Sequence, residues 1–153
     1  MQLFQLLNEH RVLIDTCSHS KTAVLAKISQ LFSDDFPQLN AKDLFEAYWH
    51  RESLGSTTLG HGLLIPHVRS SFIDAPAACF IRLQRPVDFG AEDKQPVDLV
   101  IGLLGPEQHP EKHLKVLAAI VKQVSSEAFR DQCRSASSSD ELIQVLKQLH
   151  AGS

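Results

Sequence analysis

The 153-residue sequence predicts an α/β fold: a three-layer α/β/α sandwich around a mixed β-sheet of about four to five strands. Segments with helical spacing alternate along the chain with short extended ones. One extended segment, Val97 to Leu104, is apolar at nearly every position, as a strand covered on both faces must be. Size supplies the third observation. A 43% hydrophobic chain of this length suits one domain spanning 1–153, and no internal repeat, low-complexity tract or long Gly/Ser/Pro linker divides it.

In chain order, Val12 to Ile14 read as a short strand. After the polar stretch Thr16 to Ser20, the set Val24, Leu25, Ile28, Leu31 and Phe32 recurs at helical spacing. Asn40 is a candidate N-cap for a second helix, with Asp43 in its first turn and Leu44, Ala47 and Tyr48 facing inward. Residues 53–70, SLGSTTLGHGLLIPHVRS, hold three glycines and a proline, which predicts an irregular loop returning to extended chain at Leu63 to Ile65. Such loops often carry function. Ala77 to Gln84 and Val97 to Leu104 are the next strands. Pro110 suits the first turn of a helix carrying Leu114, Leu117, Ala118, Val121 and Val124. A short helix covers Ser126 to Arg134, and Ser138 with Glu141 has the spacing of a capping box for the last helix.

Fifteen basic and 18 acidic residues, scattered without long runs, leave a net charge of −3 and no electrostatic footprint for nucleic acid or an anionic membrane. Cys17, Cys79 and Cys133 are odd in number and widely spaced, which argues against a disulfide framework or a thiolate zinc site and fits a reducing cytoplasm. The first residues meet charge too early for a signal-peptide core, and no stretch approaches the ~18 apolar residues of a membrane span. A cytoplasmic protein with no direct membrane insertion is expected.

Eight histidines direct attention to sites. His10, His19 and His150 lie in polar surroundings and read as surface, which leaves His50, His61, His67 and His113 to weigh. His67 follows Ile65 and Pro66, so a stiff backbone precedes the imidazole and sets where it points. On these local features alone, a histidine that merely ends a strand is the commoner case. His113 falls in the first turn of the helix begun near Pro110, where unpaired N–H groups favour a neutral imidazole and attract anions such as phosphate. A partly buried surface histidine is the alternative.

Arg51 ends the second helix, where its charge suits the dipole; its planar fork also matches phosphate oxygens bidentately. Gly55, Gly60 and Gly62 with Ser56, Thr57 and Thr58 offer N–H groups and hydroxyls that could cradle phosphate, or could be ordinary turn chemistry. The GxxxxGK[ST] pattern of a nucleotide loop is absent, as are the GxSxG elbow and the histidine spacings of a zinc site.

Together, RESLGSTTLGHGLLIPHVR and RPVDFGAEDKQPVDLVIGLLGPEQHPEKHLKVLAAIV resemble the fructose/mannitol-type enzyme IIA family of the bacterial phosphoenolpyruvate-dependent phosphotransferase system. The resemblance runs from the first strand to the last helix. It implies that His67 accepts phosphate on Nε2 from an HPr-like phosphocarrier protein, that Arg51 and His113 contact the phosphoryl group, and that no metal or nucleotide cofactor takes part. The short free-standing chain looks like the nitrogen-regulatory branch, which signals through regulatory target proteins. A sugar-specific enzyme IIA passing phosphate to a membrane permease IIB component, or a binding-only domain that has lost phosphotransfer, would share the same layout.

Of the departures from the family's usual STGIGNGIAIPHG, two bear on the site, and His61 stands out beside them. Thr58 replaces a glycine, Val68 replaces the glycine after the histidine, and His61 stands where asparagine is common. A β-branched residue disfavours positive φ, so a turn needing that conformation at 68 would have to be rebuilt. His61 reads as exposed.

Overall fold

Two long strands organise the sheet. β5 (Ala77–Val87) and β6 (Val97–Pro106) pair antiparallel in a computed structural model that describes residues 2–151. Before them come α1 (Leu3–Leu6), a 3-10 turn at Glu9–Arg11, β1 (Val12–Asp15), α2 (Lys21–Asp35) and α3 (Ala41–Leu54), then β2 (Thr58–Gly60), β3 (Leu63–Leu64) and β4 (His67–Ser70). After them come α4 (Pro110–Val124), α5 (Glu127–Ser135) and α6 (Ser139–Ala151). The sheet order is β1-β5-β6-β3-β2, and β4 also pairs with β6, continuing the line of β3. The six strands therefore occupy five positions: β1 runs parallel to β5, β3 and β4 run parallel to β6, and the β5–β6 and β2–β3 pairs are antiparallel.

Strand alternation separates two apolar layers. Cys79, Ile81 and Leu83 of β5, with Val100 and Leu104 of β6, pack against Val24, Ile28 and Phe32 of α2 and Tyr48 of α3. Ala78, Phe80, Leu99, Ile101 and Leu103 face the opposite way, onto Leu3, Ile120, Phe129 and Leu142 of the other helices. Both faces of β5 and β6 are thus covered, which is why Val97 to Leu104 can be apolar at every position but Asp98. No helix among the described residues is long and apolar enough to cross a membrane.

The helix starts follow their side-chain chemistry. Ser20, Asn40 and Ser126 accept from the backbone N–H groups of Ala23, Asp43 and Phe129, relieving donors with no partner in the first turn. At α6, Ser138 Oγ accepts from Glu141 N at 3.1 Å, yet the Glu141 carboxylate reaches back to the backbone N–H and hydroxyl of Ser137. The expected capping box is therefore displaced by one residue on its return arm.

Three other expectations change. Residues 53–70 are more ordered than an irregular loop: β2 and β3 form a tight antiparallel pair, and β4 follows at once. Ala47 is exposed on α3, which turns Leu44 and Tyr48 inward without it. On α4 only His113, Ile120 and Val124 are buried, and Leu114 is 64% exposed. Of the expected stripe, Leu117 and Val121 are half-buried against the core, while Leu114 and Ala118 face outward.

Candidate functional site

Pro66 divides β3 from β4 because it has no N–H to give the ladder. Its carbonyl still accepts from Leu103 N at 2.8 Å, so the break is local and β4 resumes beside β6 with His67 opposite Leu103. His67 Nδ1 lies 2.8 Å from the carbonyl oxygen of Ile65. A carbonyl can only accept, so Nδ1 carries the proton and Nε2 keeps its lone pair. The side chain is half-buried and lines a depression of about 220 Å³ shared with Arg51, Ser56, Thr57, Thr58 and Leu117.

α3 supplies the opposite wall. Tyr48 is fully buried and donates its hydroxyl to Leu103 O at 2.7 Å, tying the helix to the rung of β6 that pairs with His67. Burial pushes the Tyr48 phenol well above its ordinary range, so it remains a donor. One turn on, Arg51 donates through Nη1 to Gly55 O at 2.9 Å, which pins the end of α3 and leaves further guanidinium N–H groups for another acceptor. Ser56 is exposed, with its hydroxyl against Thr58 Oγ1 at 3.1 Å. The Thr57 hydroxyl instead donates to the buried carboxylate of Glu52.

His113 stands behind His67, not on the surface of the depression. The two rings are 6.1 Å apart between centroids, and His113 is only 7% exposed. Its imidazole occupies the space above Gly105, where a Cβ would overlap the ring. Burial lowers its pKa below 6.5, and the neighbouring His67 and Arg69 add to that shift, so a neutral ring is favoured near pH 7. His113 Nδ1 is buried without a hydrogen-bond partner. Arg69, two residues after His67 on the same face of β4, escaped the sequence reading; strand alternation from His67 points to it.

Gly105→Ala is expected to push the His113 ring from its seat and to cost about 1–3 kcal/mol through overpacking. Chemical denaturation checks the stability loss. The ring signals of His67 and His113 check the displacement.

The departures at 58 and 68 need no unusual backbone. Thr58 and Val68 lie in β2 and β4, and neither is among the described residues with positive φ. Val68 pairs with Leu104 and packs its β-branched side chain on the α2/α3 core. His61, exposed as expected, does take φ 57°, a conformation asparagine tolerates better than most residues. Asp93 accepts from its N–H at 3.0 Å, and Arg134, held by Asp98 at 2.8 and 2.9 Å, donates to its carbonyl. Gly62 leaves room for that Asp98–Arg134 pair. His50 is exposed on α3, and among the described residues no three His, Cys, Asp or Glu side chains are placed to share a metal ion.

Comparison with known proteins places these residues in context. Residues 5–149 match the family model described as phosphoenolpyruvate-dependent sugar phosphotransferase system, EIIA 2. A nitrogen regulatory protein of Pseudomonas aeruginosa is 38% identical over 152 residues, covering 99% of each chain. The crystal structure of nitrogen regulatory protein IIA-Ntr from Neisseria meningitidis superposes with a TM-score of 0.84 at 33% identity, over 94% of this chain and 97% of that one. Enzyme IIA mannitol of Escherichia coli, solved in complex with phosphorylated enzyme IIB mannitol, shares the fold with a TM-score of 0.73 at 19% identity, over 94% and 99% of the two chains.

Proposed function

The chain belongs to the EIIA type-2 family of the phosphoenolpyruvate-dependent sugar phosphotransferase system, and from that membership we propose that it is a phosphocarrier whose His67 accepts a phosphoryl group from an HPr-like protein and whose phosphorylation state regulates protein partners. One observation carries the reading: His67 Nδ1 is committed to Ile65 O, so Nε2 is the nucleophile left to the depression. In the transfer, the P–N bond to the donor imidazole breaks as the bond to His67 Nε2 forms. The electron pair returns to the donor ring, and His67 keeps its Nδ1 proton against the Ile65 carbonyl.

The exchange between two imidazoles is nearly balanced, so the protein's task is alignment and neutralisation of the equatorial oxygens. Arg51 fits the second task with its free N–H groups, and the neutral ring of His113 can supply a donor close by. Phosphorylation adds about −1.5 to −2 charge next to Leu117 and Val121 of α4, which line the same depression, enough to change which partner docks there. The full-length likeness to a nitrogen regulatory protein supports the regulatory branch over a sugar-specific one.

The test is incubation with phosphoenolpyruvate, enzyme I and the matching HPr-like carrier. The expected product carries one acid-labile phosphoryl group by mass. A charged carrier beside an unmodified protein would overturn the reading.

A further inference from the structure

We propose that Glu52 is a positioning residue for His67, acting through a hydrogen-bonded relay of Thr57 and Ile65. Its consequence for transfer rests on the phosphocarrier reading above. Its consequence for the imidazole does not.

Glu52 sits in the last turn of α3 and is 4% exposed. Burial and the negative end of the helix dipole both oppose a carboxylate there. No ion pair among the described residues includes it, and its neighbour Arg51 turns away to Gly55 O. Its hydrogen bonds all run toward the site. Oε2 accepts from the Thr57 N–H at 3.3 Å, and Oε1 accepts from the Thr57 hydroxyl.

Thr57 passes the constraint on. Its carbonyl accepts from Ile65 N–H at 3.1 Å, and the Ile65 carbonyl accepts from His67 Nδ1–H at 2.8 Å. Pro66 restricts Ile65 to extended backbone, so anchoring the Ile65 N–H also aims its carbonyl. The constraint is positional: the carboxylate, a strong acceptor, holds Thr57 in place, and Thr57 in turn holds the Ile65 segment whose carbonyl meets the imidazole. The relay does through two backbone segments what a carboxylate touching a catalytic imidazole does directly: it holds one tautomer and one ring orientation. After transfer, the retained Nδ1 proton sits on a phosphorylated ring that draws harder on the same carbonyl.

Glu52→Gln preserves volume but removes the charge, and its amide nitrogen can only donate, so the Thr57 hydroxyl must turn round to accept and the charge-assisted hold on Thr57 is lost. Thr57→Val removes the hydroxyl alone, and Thr57→Ser restores it. The readouts are the ring 15N shifts of His67 in the unphosphorylated protein and the rate of phosphoryl uptake from the charged carrier. Wild type is expected to show a single tautomer with the proton on Nδ1. Glu52→Gln is expected to show mixed tautomers and uptake slowed about tenfold, as loss of a supporting partner commonly gives. Thr57→Val should fall between, and Thr57→Ser should return to wild type.

Wild-type His67 shifts in folded Glu52→Gln would overturn the proposal, even if uptake slowed, since a plain loop brace would slow uptake without touching the tautomer. If Glu52→Gln does not fold, the Thr57→Val and Thr57→Ser pair decides by the same criterion. If wild type takes up no phosphate, the phosphocarrier reading fails while the 15N shifts still decide the relay.

Discussion

His67→Ala should take up no phosphoryl group from a charged carrier while keeping its fold. Complete loss is expected because no other imidazole can substitute. His113 is the nearest ring described, yet it is buried to 7% exposure with Nδ1 sealed over Gly105. His61 is exposed at the β2–β3 tip, its backbone clamped by Asp93 and Arg134, and it does not line the depression that holds His67. Stability should change little. His67 is half-buried at a surface depression, so the Ile65 carbonyl it releases can turn to water, and the cost stays near that of one exposed hydrogen bond, about 0.5–1.5 kcal/mol. Mass spectrometry after incubation with the carrier, beside a urea melt, separates the two effects. Residual acid-labile phosphate on the variant would move the acceptor to another residue.

How much of this could be read in the sequence depended on the range of the signal. The α2 stripe from Val24 to Phe32 and the apolar run of β6 are long periodic features, and the structure keeps both. Asn40 was legible because a cap acts within three residues. β2 and β4 were not, since strands of three and four residues among glycines show no usable alternation and exist only because β3 and β6 offer them partners. Leu114 misled for the opposite reason. Its spacing suits a buried stripe, yet His113, Ile120 and Val124 take the inward positions of α4 and leave it outside.

The site divides in the same way. Arg51, His67 and His113 were recognised as residue types suited to anion chemistry, but nothing in the sequence says that Gly105 makes the seat for His113 or that Tyr48 ties α3 to Leu103. Glu52 was invisible because it meets Thr57 at a helix end, outside any motif, and its weight lies in burial. Thr57, taken as a phosphate ligand by its hydroxyl, has that hydroxyl turned to Glu52.

Arg11→Ala should be among the most destabilising single substitutions, at about 3–5 kcal/mol, because it strands groups buried with it. Arg11 is 6% exposed. Its Nε donates to Ala78 O at 3.0 Å, Nη2 to Leu6 O at 3.1 Å, and Nη1 pairs with Asp35. Phe32 and Phe36 hold the guanidinium 5.9 and 5.4 Å from their ring centroids. The reason for a buried arginine lies in strand lengths: β1 pairs with β5 only from Val12 opposite Phe80, so Ala78 lies beyond the end of β1. The Arg11 side chain takes over there as donor. By contrast, the His109–Glu111 pair, with both side chains more than half exposed, should contribute about 1 kcal/mol or less. Ala78 is opposite Leu103, and Leu103 is opposite His67, so the damage falls on the rung that ends at the site. Tyr48 and the Pro66 carbonyl still hold Leu103 from other directions. A urea melt should therefore show the large loss, while phosphoryl uptake measured well below the transition stays near wild type. A loss of uptake in the folded variant would mean that β5 transmits its register to His67 more strongly than those two bonds allow.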